Sequence, residues 1–150
     1  MRLTKEIKDS IDKSVLCWLA TASVDNKPNV SPKEVFNYYG SDEIIVANIA
    51  SPKTVENVRT NENVCISFID ILVQKGYQIK GKAKIIKESD SGFLERKKVL
   101  IKITEGNYPF TTITKIIIEQ AKAIIAPKYI LYPETTEEDQ IKSAKSTYRV

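Results

Sequence analysis

Histidine is absent from the 150-residue chain. Its absence excludes Ser-His-Asp and Cys-His nucleophile systems, and it excludes zinc sites that depend on histidine ligands. Any chemistry must therefore use lysine, tyrosine, hydroxyl groups, carboxylates or a bound cofactor. The sequence also has no Gly-rich run before a lysine, as in a P-loop, and no G-x-G-x-x-G dinucleotide fingerprint.

Cysteine and long apolar runs are equally scarce. Cys17 and Cys65 lie in apolar, strand-like runs and match no metal or redox spacing, so we expect small buried side chains rather than a disulfide. No apolar run approaches the ~18 residues that cross a bilayer, and the N-terminal MRLTKEIKDSIDKS lacks the apolar core of a signal peptide. These features predict a cytoplasmic protein that contacts no membrane.

The overall composition is that of one globular domain, with 42% apolar and 28% charged residues. The net charge of +4 is small, and acids are interspersed with the bases. Because no basic stripe or aromatic motif stands out, we expect no nucleic-acid partner.

Hydrophobic periodicity and turn residues predict four helices and several strands. The predicted order is a helix at 4–13, strands at 14–22, 29–39 and 43–48, a helix from Pro52 to about Thr60, strands at 63–73 and 74–88, a helix from Ser89 or Ser91 to about Ile103, a strand at 111–127 extended to 133, and a helix at 134–148 capped by Thr135 or Thr136.

Short strands joined by tight turns, with helices on the rim, indicate a small antiparallel barrel in an α+β chain. Pro32 predicts an edge or a bulge, and Gly76 and Gly81 predict a bulge or a close backbone approach. The strand at 63–73 is apolar on both faces, which fits either burial by a second subunit or a well-covered core strand.

The segment NIASPKTVENVR, residues 48–59, contains the main candidate binding site. Ser51 is a good N-cap and Pro52 suits the first helical position, but Lys53 in the first turn is unfavourable unless an anion lies beside it. A helix start with Lys53 and the Ser51 and Thr54 hydroxyls binds phosphate readily. The alternative is an ordinary Ser-Pro helix start with a surface lysine.

The strand before this helix can add to the site. Ser31 and Lys33 share one face of the 29–39 strand by its period of two. If that strand pairs with 43–48, a second lysine and a second hydroxyl come near the same pocket.

The order of several motifs adds a family resemblance. LATAS, then PNVSPKEVF, DEIIVANIASPKTVENVR, NVCISFID and YQIKGKAKI resemble the FMN-binding split-barrel family of the pyridoxamine phosphate oxidase type. The resemblance covers roughly residues 14–132. It implies a six-stranded antiparallel split β-barrel with peripheral helices, acting as a homodimer with two FMN molecules at the subunit interface.

The resemblance also implies the residues that contact FMN. The phosphate is expected at Ser51 and Lys53, with Thr54 and the helix N–H groups close by. The 75–78 segment is expected to reach across from the partner subunit. The full set of implied cofactor-binding residues is Val30, Ser31, Pro32 and Lys33 along the ribityl chain and ring edge, Asn48 and Ile49 beside the flavin, Ser51, Lys53 and Thr54 at the phosphate, and Gln78 from the partner.

Three positions and the C-terminal tail depart from the oxidase pattern. Pro52 replaces an arginine before the phosphate lysine, and Asn29 replaces an arginine that opens the second strand. Gly76 falls where a partner glutamine is common, with Gln78 nearby as a substitute. The C-terminal tail has no counterpart of the substrate-binding arginine and histidine. We therefore expect FMN binding without pyridoxamine phosphate oxidation.

The expected chemistry is that of an FMN-dependent oxidoreductase acting on a small organic acceptor, with an electron donor such as NAD(P)H. Lys33 is the candidate for a positive group near the N1–C2=O edge of the flavin, and no catalytic residue is assigned. Tyr77 and Tyr129 either line the substrate side or pack with their hydroxyls at the surface. The alternatives are a non-enzymatic flavin carrier, a ligand-free dimeric interaction module, and a deazaflavin or haem ligand.

Overall fold

Threonine side chains cap the starts of two of the four predicted helices, and Ser51 holds the N-cap position of a third without a capping hydrogen bond. The computed structural model describes residues 1–150 and has α1 at Lys5–Lys13, α2 at Pro52–Thr60, α3 at Phe93–Thr104, α4 at Pro127–Leu131 and α5 at Glu137–Tyr148. Thr4 caps α1, and Thr136 with Asp139 forms a capping box at α5. The predicted serine cap of α3 is wrong, because Gly92 holds that position with a φ of 79°.

All strands belong to one antiparallel sheet. They are β1 (Cys17–Ala22), β2 (Pro28–Lys33), β3 (Phe36–Tyr39), β4 (Glu43–Ala47), β5 (Asn63–Asp70), β6 (Lys75–Lys87) and β7 (Thr112–Ile125). Their order in the sheet is β2-β1-β5-β6-β7-β4-β3. The α+β class and the antiparallel sheet are therefore confirmed.

The sheet has seven strands, so the expected count of six is wrong. The reason lies in the predicted 29–39 strand, which bends at Glu34 and Val35 and divides into β2 and β3. These two strands are the opposite ends of the sheet order, yet only two residues join them. The sheet must therefore curl until its two edges approach each other, as in a barrel that is partly open.

Two predicted strand ends are also wrong. The 111–127 strand does not continue to 133, since Pro127 begins the short helix α4, where its missing N–H group costs nothing. The 63–73 strand ends at Asp70, because the Asp70 carboxylate accepts hydrogen bonds from the backbone N–H groups of Leu72 and Val73 at 3.0 and 3.2 Å and so forms a turn.

Two hydrophobic clusters stabilise the fold. The larger one fills the inside of the curled sheet, and the smaller one packs α3 against its outside. Strand β4 contributes to both, with Ile44 and Val46 in the first cluster and Ile45 and Ala47 in the second. Strand β4 is thus held from both faces, which fixes the chain that leads from it into α2.

Both predicted glycine positions in β6 are close backbone approaches. A Cβ atom on Gly81 would collide with the carbonyl oxygen of Ile117, and one on Gly76 would collide with that of Phe68. The register between β6 and β7 shifts between Lys80 and Gly81, which confirms the predicted bulge. None of the five helices combines the length and the apolar character needed to span a membrane.

Candidate functional site

Helix α2 begins at an end that its own residues do not cap. Ser51 occupies the N-cap position and Pro52 the first turn, but the Ser51 side chain makes no capping hydrogen bond and the first turn contains no acid. The first N–H groups of a helix have no intrahelical acceptor and concentrate positive potential. The start of α2 therefore has free donors for an anion.

Lys33 lies beside this helix start at the end of β2. Only 6% of its surface is exposed, and its Nζ atom donates a hydrogen bond of 2.6 Å to the Ser51 hydroxyl. None of the ion pairs in the structure includes Lys33. Burial lowers the pKa of Lys33, and the neighbouring Cys17 opposes that shift only in part. The buried ammonium therefore has a hydroxyl partner but no counter-charge.

A cleft of about 420 Å³ opens at Lys33 and Ser51, and we refer to it as the Lys33 cleft. Its volume falls in the range of small-molecule sites, about 300–1,000 Å³. Polar and apolar groups line it in equal number: Ser31, Pro32, Lys33, Glu34, Val35, Ala47, Ile49, Ala50, Ser51 and Tyr108. A second hollow of about 520 Å³ shares Ile49, Ala50 and Ser51 with it and extends along α2.

Buried polar side chains fix α2 against the sheet. The Ser31 and Thr54 hydroxyl oxygens lie 3.4 Å apart, and the Asn57 Nδ2 atom donates a 3.0 Å hydrogen bond to the Thr21 hydroxyl. Both Thr54 and Asn57 are buried. These contacts hold the start of α2 at a set position relative to Lys33, so the cleft is preformed.

The structure brings together five of the predicted site residues and places the others elsewhere. Ser31, Pro32, Lys33, Ile49 and Ser51 line the Lys33 cleft. Thr54 lies directly behind it, through its contact with Ser31.

Four predicted residues do not line the cleft of their own chain. Lys53 is exposed and pairs with Glu56, its Nζ atom lying 3.2 Å from the carboxylate. The Asn48 side chain bonds to Thr112 and Thr114 on β7. Val30 is exposed, and Gln78 is exposed on β6, where it lines a small hollow together with Lys122.

The two tyrosines considered for the substrate side pack elsewhere. Tyr77 contacts the larger core cluster, and its ring centroid lies 6.4 Å from that of Phe68. The Tyr129 hydroxyl donates a 2.7 Å hydrogen bond to the carbonyl oxygen of Val73. Neither tyrosine lines the Lys33 cleft.

Of the two cysteines, Cys17 is fully buried, and burial raises the pKa of its thiol to about 12.

Sequence reasoning did not identify Tyr108 as part of the site. It belongs to the loop TEGNYPF, residues 104–110, which is more than fifty residues from the other lining residues in sequence. The only local signal is an aromatic residue placed among turn formers. Its position at the cleft depends on how α3 packs against β4, which the local sequence does not reveal.

The fold and the Lys33 cleft together indicate what kind of ligand the protein binds. A curled antiparallel sheet presents an uncapped helix start and a buried lysine to a preformed cleft, which is an arrangement suited to a small anionic ligand. A family model described as pyridoxamine 5'-phosphate oxidase matches residues 3–122. The chain belongs to this family.

Solved structures agree with the fold assignment. HupZ from Group A Streptococcus is 24% identical with a TM-score of 0.67, over 79% of this chain and 91% of that one. An FMN-binding protein from Syntrophomonas wolfei is 18% identical with a TM-score of 0.63, over 79% and 86%. An F420 reductase is 15% identical with a TM-score of 0.58, over 80% and 98%. No curated protein matches the sequence significantly.

Proposed function

We propose that the protein is an FMN-binding flavoprotein that acts as a homodimer, with FMN at the subunit interface. The observation that carries this proposal is the contact between the buried Lys33 ammonium and the Ser51 hydroxyl at 2.6 Å, beside an uncapped helix start. Membership of the pyridoxamine 5'-phosphate oxidase family supports it.

The phosphate of FMN fits the polar end of the cleft. A phosphate dianion would give Lys33 the counter-charge that it lacks and would accept hydrogen bonds from the first N–H groups of α2. The Ser51 hydroxyl can donate to the same group. Lys53 lies in the first turn and adds a positive charge at the surface, where Glu56 now shares it.

The apolar lining suits the rest of the cofactor. Val35, Ala47 and Ile49 give the cleft an apolar side next to the lysine. A flavin ring needs such a surface. The alternative role for Lys33, a positive group near the N1–C2=O edge, would leave the phosphate to Ser51, Lys53 and the N–H groups of α2. Gln78 does not line the cleft of its own chain, and the family resemblance implies that it would contact the ring from the partner subunit.

The activity we propose is oxidoreduction of a small organic acceptor. Bound FMN supplies hydride and electron transfer, and the protein supplies binding, orientation and charge. Oxidation of pyridoxamine phosphate is not proposed, because Pro52, Asn29 and Gly76 replace the polar residues of the oxidase pattern. NAD(P)H is the electron donor to test first.

The visible spectrum of the purified protein, followed by mass spectrometry of the compound released on denaturation, tests the proposal. We expect a flavin spectrum and the mass of FMN, or, for a colourless preparation, stoichiometric binding of added FMN. Release of a deazaflavin or a haem would overturn the choice of cofactor. A protein that is colourless and binds no added FMN would contradict the proposal as a whole.

An enzyme and a passive carrier differ in turnover. Stopped-flow reduction of the FMN complex by NAD(P)H, followed by reoxidation with a nitroaromatic or flavin acceptor, distinguishes them. Repeated turnover supports an oxidoreductase. A complex that holds FMN but is reduced by neither nicotinamide nucleotide would indicate a carrier or a different donor.

A further inference from the structure

Tyr108 places an exposed aromatic ring at the Lys33 cleft. It lines the cleft together with Lys33 and Ser51, and 59% of its surface is exposed. The other lining residues are small, aliphatic or charged, so Tyr108 is the one aromatic group of this cleft. An exposed ring at a preformed cleft is a surface on which a planar ligand can stack.

The loop that carries Tyr108 is anchored on both sides. Before it, the backbone N–H of Asn107 donates a 2.9 Å hydrogen bond to the carbonyl oxygen of Thr104, and the N–H of Gly106 donates at 3.2 Å to the Thr104 hydroxyl. After it, Phe110 is buried in the cluster that packs α3 against β4. The ring therefore projects from fixed backbone, which limits the entropy lost when a ligand orders it.

The two kinds of group at the cleft suit one kind of ligand. Lys33, Ser51 and the start of α2 offer charge and hydrogen bonds, and Tyr108 offers a flat apolar face. A molecule with an anion at one end and a planar ring at the other satisfies both. An anion without a ring would leave Tyr108 exposed, and a neutral ring would leave Lys33 without a counter-charge.

We propose that Tyr108 is a ring-contacting residue that stacks on the isoalloxazine system of bound FMN. This inference rests on the proposed function and adds a residue that the sequence did not indicate. Tyrosine gives a large contact area for only two side-chain torsions. Removing one such stacking contact typically weakens binding about 5- to 150-fold, as measured for bases on aromatic side chains.

The test uses the full-length protein and two phosphate ligands. FMN affinity is measured by titration for the wild type, Tyr108→Phe and Tyr108→Ala. Ribitol 5-phosphate, which has the phosphate and the chain but no ring, is measured by calorimetric titration of the same proteins. Tyr132→Ala is the matched control, because Tyr132 is also 59% exposed but lies outside the cleft.

We expect Tyr108→Ala to weaken FMN binding about tenfold and Tyr108→Phe to keep most of the affinity, because the ring remains. Ribitol 5-phosphate should bind the wild type and Tyr108→Ala equally. The fluorescence of bound FMN should rise in Tyr108→Ala, since a stacked tyrosine quenches flavin emission. Tyr132→Ala should match the wild type in every measurement.

Each other result overturns the inference in a recognisable way. If FMN binds the wild type and Tyr108→Ala equally, Tyr108 does not contact the ring, and the proposed function stands. If Tyr108→Ala weakens both ligands equally, the residue supports the phosphate end instead. If the wild type binds no FMN, the proposed function and this inference fail together.

Discussion

The Lys33 Nζ atom lies 2.6 Å from the Ser51 Oγ atom, a contact between the end of β2 and the start of α2. The lysine is buried and no carboxylate neutralises it. A buried unpaired charge is costly to a fold, and such groups are often found where a ligand supplies the missing charge. The buried charge of Lys33 therefore lowers the stability of the free protein, and a bound anion would offset that cost.

Lys33→Met should raise the stability of the apoprotein and weaken FMN binding. Methionine keeps most of the side-chain volume and removes the buried charge, so we expect a gain of about 1 kcal/mol or more in the free energy of unfolding. The loss of a charge-assisted hydrogen bond should weaken FMN binding by about 1.5–3 kcal/mol. Urea denaturation of the apoprotein and FMN titration measure the two effects.

Lys98→Met is the control for this variant, because Lys98 is exposed on α3 and outside the cleft. It should change neither quantity by more than about 0.5 kcal/mol. A Lys33→Met protein that is less stable than the wild type and still binds FMN normally would show that Lys33 has a structural role only.

FMN affinity should fall as the pH rises through the lowered pKa of Lys33. Burial lowers the pKa of Lys33 below its ordinary value of 10.5 in the free protein, and a bound phosphate dianion should raise it again. Binding is therefore strongest where free Lys33 is already protonated, and it weakens as the pH rises through the lowered pKa. Titrations from pH 7 upward keep the FMN phosphate doubly charged, since its second pKa is about 6. Lys33→Arg should bind with little dependence on pH in this range.

The stability of the apoprotein should change with pH in the opposite direction. Because the pKa of Lys33 is lower in the folded state, the unfolded chain holds that proton more tightly. Stability then rises as the pH passes from the folded pKa toward the unfolded value. Urea midpoints of the wild type minus those of Lys33→Met isolate this contribution, and a difference that is constant over the range would contradict it.

Lys53 should contribute less to FMN binding than Lys33. More than half of its side chain is exposed, and Glu56 lies 3.2 Å from it. Exposed charges are screened, so Lys53→Ala should cost about 1 kcal/mol at low salt and less at high salt. Glu56→Gln frees Lys53 and removes a negative charge, and it should strengthen FMN binding slightly. A larger loss in Lys53→Ala than in Lys33→Met would reverse the proposed ranking.

Local signals in the sequence were sufficient for most helices and strands. The Thr4 and Thr136 caps, the two glycines of β6 and the Ser51-Pro52 helix start act within a few residues, so their effects can be predicted from the sequence. The family resemblance implied a split barrel, but with six strands where the structure has seven. The division of the 29–39 strand could not be predicted, because it depends on how far the whole sheet curls.

The same contrast between local signals and long-range packing holds for the residues of the site. Lys33 does lie near Ser51, but not through the strand pairing that predicted it. The part of the strand that carries Lys33, β2, pairs with β1, and only β3 pairs with β4. The expected contact between Lys53 and the phosphate stays a prediction. The sequence places Lys53 in the first turn of α2, but a position in a helix does not tell whether the side chain is buried or exposed. Tyr108 was missed because packing between distant elements brings its loop to the cleft.

Glu43→Gln should destabilise the fold by about 2 kcal/mol. The Glu43 carboxylate accepts two 2.8 Å hydrogen bonds from the Arg96 guanidinium, and both side chains are only 13% exposed. Arg96 also lies over the Tyr39 ring, 4.4 Å from its centroid. The neutral variant leaves a largely buried guanidinium without its counter-ion, which costs more than losing a surface pair. Urea denaturation at constant m-value measures the change.

The control for this prediction is Glu88→Gln. Glu88 pairs with Lys97 at 3.2 Å, but its side chain is largely exposed. Its loss should cost less than about 0.5 kcal/mol. Equal effects of the two variants would show that the Glu43–Arg96 pair gains nothing from burial.

FMN binding should depend on dimerisation, because Gln78 is expected to contact the flavin of the partner subunit. The exposed Trp18 ring on β1, next to Pro32 of β2, is an apolar group that a partner would cover. Trp18→Glu should therefore shift the protein to monomer and weaken FMN binding together. Val24→Glu, in an exposed turn, is the control and should change neither. Sedimentation velocity recorded in the flavin band checks this, and a flavin-loaded monomer would contradict it.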